Sequence, residues 1–124
     1  MHHQKPDFTG LWTLNLRDSA LSPVVAPAVQ GGFVRIDHRE PTVSVLLSIT
    51  MDGKPFDVRF ERASNWEGDA LSFTDRHETP NGELMISFRY ELQDSGRRVR
   101  AAEQLRGAGR EQDNVWIFDR APSP

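Results

Sequence analysis

The chain has 124 residues, enough for one domain and too few for two. Its 18 acidic and 15 basic residues are mixed along the sequence and give a formal charge of −3, which argues against the basic stripe of a dedicated nucleic-acid surface. The absence of cysteine excludes disulfides and thiol chemistry.

No apolar run approaches the ~20 residues that a membrane helix needs, so no membrane span is expected. The start, Met1-His2-His3-Gln4-Lys5-Pro6, has no apolar signal-peptide segment, and the His2-His3 pair carries no functional weight. The expectation is a cytoplasmic protein for the chain as it stands, or an exported one if a leader precedes it.

In chain order, the dominant pattern is period-two alternation broken by turn residues. A first strand over residues 8–16 places Phe8, Gly10, Trp12, Leu14 and Leu16 on one face. Residues 17–32, with Pro23, Pro27, Gly31 and Gly32, read as the one long loop, placed to flank a barrel mouth. A second strand over 33–39 turns at Glu40-Pro41 into a third over 42–50, where Val43, Val45, Leu47 and Ile49 face inward. Asp52-Gly53 is a hairpin signal, because both central residues of a type I′ turn need positive φ.

A fourth strand over 56–63 alternates Phe56, Val58 and Phe60 with Asp57, Arg59 and Glu61. Glu67-Gly68-Asp69 turns into a fifth over 70–78, and Asn81-Gly82 into a sixth carrying Leu84, Ile86, Phe88, Tyr90 and Leu92. Asp94-Ser95-Gly96 leads to a seventh over 97–105, and Gly107-Ala108-Gly109 to an eighth over 113–120. The tail Ala121-Pro122-Ser123-Pro124 ends it, since proline cannot continue a paired strand. Connections after the first are short and join antiparallel neighbours. The expected fold is therefore all-β: an eight-stranded antiparallel up-and-down β-barrel forming a single domain, with a two-sheet sandwich as the alternative.

Gly10-Leu11-Trp12 resembles the G-x-W start of the lipocalin-like (calycin) barrels. The resemblance runs over nearly the whole chain, to a bacterial, mostly uncharacterised branch of that superfamily. It is carried by Asp7-Phe8-Thr9-Gly10-Leu11-Trp12-Thr13-Leu14-Asn15, Asp37-His38-Arg39-Glu40-Pro41, Asn65-Trp66-Glu67-Gly68-Asp69-Ala70-Leu71 and Val115-Trp116-Ile117-Phe118-Asp119-Arg120. It implies that Trp12 sits inside the barrel base with Arg120 packed over it, and that a small, largely apolar molecule binds in the barrel. The chain lacks the C-terminal helix of larger lipocalins and the helical lid of fatty-acid-binding barrels.

Motifs of other chemistries are missing. There is no phosphate-cradling glycine loop, no G-x-S-x-G elbow and no H-E-x-x-H. With four histidines and no cysteine, no metal site and no cofactor are expected. The informative residues are polar ones on apolar strand faces: His38, Arg62, Asp75, His77, Tyr90 and Glu103. Pointing inward, each requires a partner, water or a ligand, because burying an unpaired polar group is costly. His38, Arg62 and His77 fall near strand ends and also read as solvated rim residues, and a β-bulge would turn Glu103 outward.

Three functions compete. The leading expectation is binding of a small hydrophobic or amphipathic molecule, with Phe60, Phe73 and Phe88 supplying apolar surface and Arg62, Tyr90 and Glu103 orienting it. An enzyme (isomerase, cyclase or hydrolase) would draw an acid–base pair from His38, Asp75, His77 and Glu103. A filled barrel would instead meet a protein partner through outward Leu46, Met85 or Trp116. Monomer and homodimer both fit.

Overall fold

The computed structural model describes residues 5–121, so the His2-His3 pair and residues 122–124 of the proline-ended tail lie outside the described residues. The alternating segments are strands: β1 (Gly10–Leu14), β2 (Val29–Arg39), β3 (Thr42–Met51), β4 (Lys54–Ala63), β5 (Trp66–Glu67), β6 (Ala70–Thr79), β7 (Gly82–Gln93), β8 (Arg98–Gly107) and β9 (Arg110–Arg120). Among the described residues these nine form one antiparallel sheet in the order β4-β3-β2-β1-β9-β8-β7-β6-β5. The only helical element among the described residues is the 3₁₀ turn Asp94–Gly96 between β7 and β8.

This corrects the expected closed barrel of eight strands. The sheet curls into a half-barrel, and β5 is a ninth strand in a region expected to be a turn. The missing closure lies between β4 and β6. Chain direction passes from β4 through Ser64-Asn65 into β5, which pairs with β6 only at Trp66↔Leu71 and Glu67↔Ala70. One more rung, from the Ser72 amide to the Asn65 carbonyl at 2.8 Å, ends the pairing.

Beyond it β4 and β6 peel apart, and side chains span the seam. The Phe60 and Phe73 rings meet edge to face with centroids 5.4 Å apart. Arg62 Nη2 lies 2.5 Å from Asp75 Oδ1. Continuing the β5–β6 register would place Arg62 opposite Asp75, so the strands keep their alignment while losing their backbone bonds.

The base of the half-barrel, at the β2–β3 turn, is filled. Phe8, Trp12, Val43, Leu71 and Val99 are buried there in one apolar cluster. Trp12 donates its indole N–H to the Phe8 carbonyl at 3.0 Å, so its single polar group is satisfied. Above the indole lies Arg120, with Cζ 4.1 Å from the ring centroid, in cation–π range. Its Nη1 donates to the Thr9 carbonyl at 3.2 Å and its Nε to the Gly96 carbonyl at 3.1 Å. Gly10 is required by this packing: its φ is +151°, and a Cβ there would lie 2.6 Å from Arg120 Nη1.

At the other end, the long connection is shorter than expected, since β2 takes the chain from Val29. Residues 15–28 run along β9, where Ala20 and Val115 exchange backbone bonds of 2.8 and 2.7 Å. The segment then reaches the Asp52-Gly53 hairpin, whose φ values of 50° and 79° are those of a type I′ turn, and the Asp52 amide donates to the Ala28 carbonyl at 3.1 Å. Leu21 and Val25 pack against the core from this strap.

Gly10→Ala is expected to lower stability by about 1–3 kcal/mol, because the added methyl forces Arg120 off the indole and strains the backbone. The loss should be smaller in an Arg120→Ala background, where the clashing group is gone. Urea denaturation of the two single variants, the double variant and the parent checks both statements.

Candidate functional site

The concave face narrows to a cavity of about 50 Å³ lined by Leu47, Phe88, Tyr90, Ala101, Glu103, Trp116 and Phe118. Alternation places these side chains. Tyr90, Ala101 and Trp116 lie side by side across β7, β8 and β9, with Phe88 and Glu103 paired in the next inward position. Leu47 faces them from β3, and its neighbour on β4 is Val58. The apolar wall therefore continues from the cavity onto the edge strand, where Val58 is 43% exposed and Phe56 66% exposed.

Glu103 is the polar centre of this region. Its Oε1 accepts from Asn114 Nδ2 and from Trp116 Nε1, each at 3.0 Å. Asn114 sits opposite Glu103 on β9 and is buried. Its Oδ1 accepts the Ser22 amide at 2.7 Å, so the strap formed by residues 15–28 holds the residue that holds the carboxylate. Both donors converge on one carboxylate oxygen, and Oε2 accepts no hydrogen bond among the described residues.

Tyr90 is 3% exposed, and its ring meets Phe73 and Phe88 edge to face. Among the described residues its hydroxyl has no hydrogen-bond partner, although the side chain lines the cavity. Burial first, then the negative charge of Glu103, pushes the phenol's ionisation well above its ordinary range. The hydroxyl therefore stays neutral, able both to donate and to accept.

The residues singled out in the sequence are distributed unevenly around this centre. Phe88, Tyr90 and Glu103 line the cavity, while Phe60 and Phe73 fill the seam. Arg62, expected to orient a ligand, is tied to Asp75 and also packs over the Phe60 ring with Cζ 5.5 Å from its centroid. His77 is exposed on β6. His38, expected near an opening to solvent, is instead buried in the filled base, with its ring centroid 5.9 Å from Phe8 and 5.5 Å from Trp66. Its Nδ1 accepts the Phe8 amide at 3.2 Å, which puts the imidazole proton on Nε2, 3.6 Å from Glu40 Oε2.

No hydrogen bond or ion pair joins any two of His38, Asp75, His77 and Glu103. Gly10, Trp12 and Arg120 stand together at the base, away from the cavity lining. Trp116, named as an outward contact residue should the barrel be filled, points inward and donates to Glu103.

Sequence reasoning missed Leu47, Ala101 and Phe118 as cavity residues, and Asn114 as the partner of Glu103. The available signal for Asn114 was its place in the inward series Asn114, Trp116, Phe118. Among the described residues no group of three or more His, Asp or Glu side chains is arranged to hold a metal ion. No described helix is long and apolar enough to cross a membrane.

Two outcomes follow from the Tyr90 environment. Tyr90→Phe should leave stability within about 0.5 kcal/mol of the parent or raise it, because the hydroxyl it removes has no protein partner; thermal and urea unfolding test this. Tyr90 is the chain's single tyrosine, so phenolate absorbance reports on it alone. The folded protein should show no phenolate at about pH 10, where a free tyrosine is half ionised. Since the folded state resists ionisation, this group's contribution to stability is intact below pH 10 and is lost as pH rises beyond it.

Compared with protein-family models and with curated proteins, the chain matches none.

Proposed function

We propose that this protein binds a small amphipathic molecule on the concave face of its sheet, with the molecule's polar end at Tyr90 and Glu103. The observation that supports this reading is the unpartnered Tyr90 hydroxyl beside the half-used Glu103 carboxylate, in a cavity otherwise walled by apolar side chains. Such a pairing of apolar walls with a few placed polar groups is the usual character of a small-molecule site. About 50 Å³ accommodates a head group of roughly one or two water-sized units, not a whole ligand. The rest of the molecule would lie along Leu47 and Val58 toward Phe56, whose exposed surface it would cover. Burial of that surface contributes about 25 cal/mol per Å².

On this reading the half-barrel is a relative of the lipocalin-like barrels, entered through its incomplete side. The order of Gly10-Leu11-Trp12 and Arg120 in the sequence, and their meeting at the base, support the kinship. A catalytic reading has less support, because the four candidate acid–base residues do not meet.

The test combines extraction and binding. Protein purified from a rich medium is extracted with organic solvent and the extract analysed by mass spectrometry, and the stripped protein is titrated with short alkyl amphiphiles while tryptophan emission is followed. Saturable binding is expected, and Ala101→Leu, which fills the cavity, should weaken it at least tenfold while the variant stays folded. Absence of both a co-purified molecule and saturable binding would overturn the proposal.

A further inference from the structure

We infer that the head group this site selects is a cationic amine rather than a carboxylate; this rests on the binding reading above and names its ligand class. The argument begins with the lone pairs. Asn114 and Trp116 both donate to Glu103 Oε1, which leaves Oε2 without a donor among the described residues. An ionised carboxylate accepts and cannot donate, so whatever completes it must bring hydrogens.

The Tyr90 side chain, 3% exposed, lines the same cavity wall, and its hydroxyl, without a hydrogen-bond partner among the described residues, can accept a further hydrogen from the same head group. A primary ammonium offers three donors on one compact atom, which suits a space of about 50 Å³. Opposite charge also compensates a carboxylate held among Leu47, Phe88, Ala101 and Phe118, where screening by water is reduced.

A carboxylate ligand meets the reverse situation. It would bring a second negative charge beside Glu103 and supply no hydrogen for Oε2. None of the edge-strand cations Lys54, Arg59 and Arg62 lines the cavity, and Arg62 is already bound to Asp75 at 2.5 Å. A carboxylate would have to break that ion pair to use it. An alkyl alcohol, with one donor and no charge, should fall between the two.

The experiment compares octylamine, octanol and octanoate on the intact protein below their aggregation concentrations. Calorimetry measures affinity, and tryptophan emission provides a second readout because Trp116 shares the Glu103 oxygen. Octylamine is expected to bind at least tenfold more tightly than octanoate, with octanol between them. Glu103→Gln should weaken octylamine at least tenfold and bring the three probes within about threefold of one another, while octanol changes little. Octanoate binding as tightly as octylamine, or more tightly, would overturn the inference while leaving the binding reading intact. Failure of all three probes to bind would remove the binding reading itself. The comparison on the unmodified protein decides the matter even if Glu103→Gln folds poorly.

Discussion

The structure depends on a pair of neighbouring strands that do not hydrogen-bond. In a sheet curled this far, full closure would pair β4 with β6 along their lengths and leave no free edge. Here the pairing stops after the short β5–β6 ladder, and the Phe60–Phe73 contact with the Arg62–Asp75 ion pair takes over. Side chains can hold two strands in alignment without drawing their backbones to ladder distance. The seam therefore preserves the curl while leaving the concave face accessible, and the apolar side chains of β4 remain partly in solvent.

The two ends of the half-barrel are treated differently. At the base, the Phe8, His38 and Trp66 rings meet at tilted angles beside Trp12; the Trp12 indole and His38 Nδ1 are hydrogen-bonded, and His38 Nε2 is buried without a hydrogen-bond partner among the described residues. At the far end the strap of residues 15–28 lies along β9 and is bound there by backbone pairing. In the middle, Glu103, Asn114 and Trp116 form a bonded group within an apolar surround. Asn114 is buried with its amide nitrogen and oxygen both bonded, whereas Glu103 is half-buried and keeps one oxygen without a protein donor among the described residues.

Much of this architecture was legible in the sequence. Alternation identified eight of the nine strands and, on several of them, the inward face, because the side-chain period of a strand is two residues and one face is buried. It also turned Glu103 and Tyr90 inward. It could not reveal the seam, since alternation says which way a residue points and nothing about whether its outer neighbour exists. The two-residue β5 was hidden for a related reason: Trp66-Glu67 is too short to show a period. His38 read as a rim residue because it lies near a strand end, and only the packing of Phe8, from before β1, and Trp66, from before β6, covers it. The Ser22–Asn114 hydrogen bond joins positions 92 residues apart and leaves no local trace.

The unpaired flank of β4 bears on how the protein behaves in a crowded solution. An exposed strand flank invites a second molecule to add itself, and repetition of that event produces fibres. Here Pro55 lacks an amide proton, and Asp57, Arg59 and Glu61 alternate in sign along the outward side of the strand. A copy aligning in register meets a missing donor near one end and fixed charges beyond it. The incomplete side thus discourages the addition of another chain.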